Sequence, residues 1–380
     1  SETIGLKIQN DSLIHNGPVI KNMGFVDGVG DDTTADNGNT LVKIGNMNRW
    51  GVNQCWFRGA YKGLNISSYG DAKTITSIVT QSGTTQDITV TGHGLSSGRV
   101  TIKNSNCVPR IDGSYTPASY PDANTIRINT GITLTSSGDA GQLVVTNDAA
   151  WGTLSETNFK DNRIGLECSG NNHYYCGGDN SGYPYVGHGI ASVAAGDEGG
   201  NEYNITLDAS PPYFEEGDIV TIETAGTMIL RTVPILRKVS STVFVIDTTG
   251  DIDSGPVTVD AADTVTFNCM GVKSLSTELR VGPVLFAMGD EDGVGVAALN
   301  GANVNISQAS FEDTLCGVLL NKGIQPNGGA SNYIVGCSFD GTDAVDGEVG
   351  IRMDSSCSNN FIAGNRYTSL SQTNDIQVYT

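Results

Sequence analysis

Three stretches carry one pattern: Phe57-Arg58-Gly59-Ala60-Tyr61-Lys62-Gly63-Leu64-Asn65-Ile66, Phe159-Lys160-Asp161-Asn162-Arg163-Ile164-Gly165-Leu166-Glu167-Cys168, and Phe311-Glu312-Asp313-Thr314-Leu315-Cys316-Gly317-Val318-Leu319-Leu320. Each opens on Phe, crosses a turn and reaches a Gly six residues later, where apolar residues begin to alternate. Looser copies run from Phe286 to Gly295-Val296-Ala297-Ala298-Leu299 and from Phe339 to Gly350-Ile351-Arg352-Met353. Phe286, Phe311, Phe339 and Tyr367 lie 25, 28 and 28 residues apart, which is the length of a solenoid coil and not of a heptad or helix-pair repeat. Short β-branched runs joined by Gly, Asn and Asp turns make each coil three short strands. The pattern predicts an all-β chain built on a right-handed, single-stranded parallel β-helix. Two residues before each aromatic stand Met23, Cys55, Thr157, Ala309, Cys337 and Asn365, mostly small or apolar and expected to face inward.

The repeat is interrupted twice. One interruption carries Ile88-Thr89-Val90, Val100-Thr101-Ile102 and Thr125-Ile126-Arg127-Ile128; the other carries Ile205-Thr206-Leu207, Ile219-Val220-Thr221-Ile222 and Val243-Phe244-Val245-Ile246. Both read as small antiparallel β-barrels of one type, extruded from turns of the solenoid, which tolerates insertion because each coil contacts only its neighbours. The expected organisation is β-helix over 1–73, 149–190 and 271–380, with barrels at 74–148 and 191–270.

Of 380 residues, 49 are Gly, 41 are Asp or Glu and 21 are Lys or Arg. So low a charge density argues against disorder, and the scarcity of helix formers argues against a helical bundle. The net charge of −20 excludes a nucleic-acid partner, which needs a basic footprint. No apolar run is long enough for membrane insertion by a helix. Eight Cys without a C-x-x-C pair fit free thiols from a reducing compartment. The chain opens on Ser1 and reads as a fragment whose N-terminal region is missing.

These coils, with the Thr91-Gly92-His93-Gly94-Leu95 and Ile111-Asp112-Gly113-Ser114-Tyr115 segments of the first barrel, resemble bacteriophage tailspike and tail-fibre proteins. The resemblance implies a homotrimer on the virion tail, assembled in the host cytoplasm. It also implies attachment to other tail components through the missing N-terminal region, and bacterial surface polysaccharide as the partner. Fold alone does not fix function. A free-standing polysaccharide lyase or hydrolase of pectate-lyase-like architecture, and a non-catalytic structural spike or adhesin, remain alternatives.

Candidate site residues follow from the register. Aligning coils on their aromatics stacks Arg58, Lys160, Ala287, Glu312 and Asp340 in one column, with Asp313 in the next. Strands of a sheet lie ~4.8 Å apart, so Glu312 and Asp340 approach the ~5 Å separation of a retaining glycosidase pair. Like charges that close push one carboxyl's pKa upward and supply a proton donor beside an ionised partner. Glu312, Asp340, Asp313 and Glu167 are the candidate catalytic carboxylates of a depolymerase. Acidic turns that merely solubilise a solenoid edge are the alternative. Sugar rings stack on aromatics, which makes His173, Tyr174, Tyr175, Tyr183 and Tyr185, with Trp50, Trp56 and Arg58 one coil earlier, candidate sugar-binding residues. Asp290 and Asp292 form a weak Ca2+ candidate, without the spacing of an EF-hand loop; no other cofactor is expected. The overall negative charge favours a neutral or cationic ligand, or a metal-bridged acidic one.

Overall fold

The computed structural model describes residues 4–14, 17–27, 38–67, 72–96, 98–146, 150–182, 184–196, 201–208, 211–248, 258–276, 278–288, 293–299, 302–321, 331–341, 349–354, 357–368 and 376–379. Three parallel sheets wrap one core, and the chain visits them in turn. Sheet A holds Ile4–Ile14, Thr40–Met47, Lys62–Ser67, the first half of Ile164–Cys176, Cys269–Ser276, Gly293–Ala298, Cys316–Leu320, Val349–Asp354 and Ile376–Tyr379. Sheet B holds Val19–Lys21, Gly51–Asn53, Ala150–Ser155, the second half of Ile164–Cys176, Leu279–Val281, Val304–Ser307, Tyr333–Val335 and Phe361–Ala363. Sheet C holds Gly24–Val26, Trp56–Arg58, Asn158–Asn162, Asp179–Gly182, Leu285–Ala287, Ser310–Glu312, Ser338–Asp340 and Arg366–Thr368. This is a parallel β-helix.

The Phe of each motif faces inward from sheet C and stacks on the Phe of the next coil. Phe25–Phe57 and Phe57–Phe159 centroids are 5.1 Å apart, Phe286–Phe311 5.0 Å, Phe311–Phe339 4.8 Å and Phe339–Tyr367 5.1 Å. The Gly that follows each Phe across the turn is required by this ladder: a Cβ on Gly295 would lie 2.5 Å from the Phe311 ring, and one on Gly317 2.6 Å from the Phe339 ring. One rung is missing, because Asn180 holds the Phe register between Phe159 and Phe286. Tyr175 fills the gap from sheet B, meeting Phe159 edge-on at 6.1 Å and Phe286 at 6.5 Å. Of the residues two before each aromatic, Cys55, Thr157, Ala309 and Cys337 are buried. Met23 is exposed, since it lies on the first described coil, where no earlier coil covers it.

Both interruptions are closed antiparallel barrels. In the first, Lys73–Thr74 runs on through Ile75 into Ser77–Ser82, and Gly113–Tyr115 into Ser119–Asp122, so two four-stranded sheets share both edge strands. In the second, Thr227–Pro234 at one edge continues through Ile235 into Arg237–Lys238 at the other. Numbering the six strands of each barrel in chain order, both have the circular order 1-2-5-4-3-6. They are therefore two copies of one topology, each with its own apolar core. The second barrel's first strand begins at Tyr185, ahead of residue 191, because Tyr185 through Gly189 already pair with Thr264–Phe267.

The first barrel leaves the corner between sheets A and B, and the second the corner between C and A. The second lies over the outer face of sheet A. Ile219 and Leu299 complete an apolar seal with Ile164, Met270, Val294, Cys316 and Leu319, the outward residues of successive coils. Further along, Arg352 donates to Arg231 O at 2.5 Å and to Thr232 Oγ1 at 2.7 Å.

Candidate functional site

The candidate residues fall on three faces and in the interior. On the outer face of sheet C, Ala287, Glu312, Asp340 and Thr368 occupy one register position on adjacent strands. Glu312 and Asp340 are both exposed. Two residues earlier the hydroxyls of Ser310 and Ser338 meet at 2.9 Å, and Ser310 Oγ also donates to Glu312 Oε1 at 3.3 Å. Asp313 is half-buried in the turn that follows, in the left-handed region (φ 50°) that Asp tolerates, and its N–H donates to Asp340 O at 3.1 Å.

At the other end of this face Trp56 is 40% exposed, and the Arg58 guanidinium lies 6.0 Å from its ring centroid while Arg58 Nε donates to Asp161 at 2.8 Å. Lys160 is aligned with Arg58 one coil on. Four strand steps separate Arg58 from Glu312, roughly 19 Å at ~4.8 Å per step. The outer face of sheet C thus presents an indole, two cations, paired serines and a carboxylate pair along one line.

Other candidates are removed from solvent. Trp50 is 3% exposed, His173 2% and Tyr175 1%. A Cβ on Gly152 would lie 1.8 Å from Trp50 Cε2, so the indole fills the space over that Gly, and His173 packs against it at 5.6 Å. His173 Nε2 bonds Ser169 O at 2.7 Å, and burial pushes its pKa down to about 4, against the smaller opposing effect of that hydrogen bond. The expectation that Trp50, His173 and Tyr175 contact a sugar is therefore corrected: they are core. Tyr174, between them in sequence, points outward from sheet B and is 42% exposed, in register with Arg280, Asn305, Tyr333 and Phe361. Tyr183, Asp290 and Asp292, and the side chain of Tyr185, lie outside the described residues. Among the described residues no group of three or more His, Cys, Asp or Glu is placed to hold a metal ion.

Glu167 does face outward from sheet A, but the second barrel covers it. Lys62 Nζ lies 3.1 Å from its carboxylate and Lys273 Nζ 3.5 Å. Burial alone would raise its pKa, yet the two lysines outweigh burial and hold it below the ordinary carboxylate range. Lys62 also reaches Glu215 at 2.7 Å, and Lys273 reaches Asp218 at 2.9 Å, while Tyr61 OH donates to Asp218 at 2.5 Å. Lys62, Lys273, Glu215 and Asp218 escaped the sequence reading. The available signal was the charge of Glu167 and Lys273 at one outward register position of adjacent sheet A strands, with Lys62 on the strand before, where the next two coils carry Ala297 and Leu319. Glu167 and the Glu312–Asp340 pair belong to different sheets and do not form one site.

No protein-family model matches the sequence, and no curated protein does. Among solved structures, the tailspike protein gp49 from Pseudomonas phage LKA1 is similar at 10% identity and a TM-score of 0.20, with 97% of this chain and 67% of that one covered. The Gp54 tailspike of Acinetobacter baumannii bacteriophage AP22, solved in complex with A. baumannii capsular saccharide, is similar at 10% identity and a TM-score of 0.19, with 99% and 71% covered.

Proposed function

We propose that this chain is the receptor-binding part of a tailspike-like protein, and that the outer face of sheet C recognises bacterial surface polysaccharide and cleaves it. The observation that carries the reading is the register of Glu312 and Asp340 on adjacent strands, both open to solvent. Strands ~4.8 Å apart bring such a pair near the ~5–5.5 Å of a retaining glycosidase, where one carboxyl protonates the leaving oxygen and the other attacks or stabilises the sugar cation. Ser310 and Ser338 supply hydroxyls beside the pair, and Trp56 with Arg58 supplies a stacking and hydrogen-bonding subsite roughly 19 Å away. An extended glycan laid across the strands would reach both.

In this reading copies associate as a trimer through sheet B, where Tyr174, Tyr333 and Phe361 remain exposed in one column. The molar mass in solution tests that part. Catalysis is tested by reducing-end release from purified surface polysaccharides, comparing the protein with Glu312→Gln and Asp340→Asn. Loss of release in either variant, with polysaccharide binding retained, is the expected result. Binding without release by the unaltered protein would leave an adhesin, and unchanged release in both variants would exclude the pair.

A further inference from the structure

On the first barrel, the loop after the second strand and the hairpin between the fourth and fifth strands wall an open concavity of about 510 Å3, within the ~300–1,000 Å3 typical of small-ligand sites. Its loop is the Thr91-Gly92-His93-Gly94-Leu95 stretch, which sheet C leaves without a role. The glycines keep the space open. Both are left-handed (φ 58° and 68°), and a Cβ on Gly92 would meet nothing within 4 Å while one on Gly94 would meet Gly92 O at 4.0 Å.

The second barrel, a copy of the same topology, shows what this place accommodates. Where the second strands end, Val90 N–H donates to Asn124 O at 2.8 Å and Leu207 N–H to Thr242 O at 2.9 Å. Farther along the fifth strands, Arg127 and Val245 pair with Ser119 and Arg237, so Tyr120 and Lys238 hold one position in the two copies. Lys238 Nζ lies 4.3 Å from the Tyr213 ring centroid and 4.6 Å from that of Phe214, both on the loop after the second strand. The second barrel thus covers this position with rings of its own. In the first barrel His93 approaches Tyr120 at 5.9 Å, tilted by 38°, and the concavity stands beside them.

The lining combines apolar surface with one anion. His93 Nδ1 accepts the Leu95 N–H at 3.0 Å and its Nε2 donates to Asp122 O at 2.9 Å, so both nitrogens are engaged and the ring offers carbon surface. Tyr120, Leu95 and Ala123 add an aromatic and two aliphatic surfaces. Asp122 is exposed, and the Asn124 N–H on its Oδ1 holds its carboxyl below the ordinary range, which makes it an ionised acceptor at the rim. A ligand that suits this place brings a donor for the carboxylate, an apolar face for the ring and a small apolar group for the aliphatic side. An acetamido sugar has all three. A plain hexose lacks the methyl, and a hexuronate brings a charge that Asp122 and a chain of net charge −20 repel.

We infer that the first barrel binds an N-acetylhexosamine unit of a glycan, with a pyranose CH face on Tyr120, the acetamido methyl against Leu95 and Ala123, and the amide N–H donating to Asp122. The site belongs to the barrel and does not depend on the reading given for sheet C.

The test is a titration of the intact chain with N-acetyl-D-glucosamine, N-acetyl-D-galactosamine, D-glucose and D-glucuronate, followed by chemical shifts of the Tyr120 ring and the Leu95 methyls. At least one N-acetylhexosamine should bind saturably and several-fold more tightly than glucose, as burial of one methyl provides, with glucuronate the weakest. Tyr120→Leu, which keeps apolar volume and removes the ring, should weaken binding at least about tenfold. Ala123→Leu, on the exposed hairpin, fills the concavity and should do the same at an unchanged melting temperature. Glu312→Gln should bind as the unaltered chain does. Absence of saturable binding by both N-acetylhexosamines, equal or tighter binding of glucose or glucuronate, unchanged affinity in Ala123→Leu, or loss of binding in Glu312→Gln would overturn the inference.

Discussion

Replacing Lys273 by Met tests whether charge, and not only the apolar seal, fastens the second barrel to sheet A. Lys273 is 1% exposed; its Nζ lies 2.9 Å from Asp218, 3.5 Å from Glu167 and 3.0 Å from the Glu216 carbonyl oxygen. Met keeps most of the volume and removes the charge. Asp218, 2% exposed, would retain only the Tyr61 hydroxyl at 2.5 Å and the Glu215 N–H at 3.0 Å. Breaking one side of a buried pair costs ~3–5 kcal/mol, mostly from the charge left behind, and the two surviving donors put the expected loss near ~3 kcal/mol. A multidomain chain need not unfold in one step. The assay is therefore native-state hydrogen exchange of the Ile219–Thr224 strand, which reads opening of the barrel over sheet A, alongside urea unfolding. Adding Asp218→Asn to the Lys273→Met variant removes the stranded charge and should recover at least ~1 kcal/mol. A loss below ~1 kcal/mol, or no recovery in the double variant, would mean that the apolar seal alone fastens the barrel to sheet A.

Other consequences are independent of this one. Phe311→Ala, in the middle of the stacked ladder, should cost ~3–5 kcal/mol in urea unfolding, whereas Phe311→Leu should cost less because it leaves a smaller cavity. His173, with a pKa of about 4 when folded against an ordinary ~6.5, binds its proton more readily unfolded, so its contribution is complete above pH ~6.5 and is lost as pH falls toward 4. His173→Leu should flatten that limb of the stability profile, measured by urea unfolding at a series of pH values. Gly152→Ala drives a methyl into the Trp50 ring and should cost ~1–3 kcal/mol. Trp50 is the buried indole beside exposed Trp56 and Trp151, so a red shift of tryptophan emission should accompany the loss.

The coil length, the inward Phe and the register of Glu312 with Asp340 were legible because they repeat locally, every 25 to 28 residues late in the chain. The likeness of the two barrels was legible for the same reason, as matching strand runs. What escaped depends on contacts across long stretches of chain. Trp50 is buried because Gly152, 102 residues later, leaves room for it. Tyr174 and Tyr175 read as a pair of loop aromatics, whereas Ile164–Cys176 is one strand passing from sheet A to sheet B, and its alternation turns Tyr174 out and Tyr175 in. The gap that Tyr175 fills is set by Asn180, whose side-chain amide bonds Gly271 O at 2.9 Å, so a break in the aromatic repeat and a buried Tyr are one feature. Glu167 was legible as outward-facing, but its lysine partners and the barrel that covers them meet only in the folded chain.

The claim that matters most is that sheet C binds polysaccharide, and the most direct measurement is the affinity of purified surface polysaccharides for the intact chain and for Trp56→Ala with Arg58→Ala. Both side chains lie on the open face and outside the core, so the fold should persist. The account predicts saturable binding by a polysaccharide from a host strain and at least about tenfold weaker binding by the double variant, at an unchanged melting temperature. Equal affinity in the two proteins, or no binding by any surface polysaccharide tested, would contradict it.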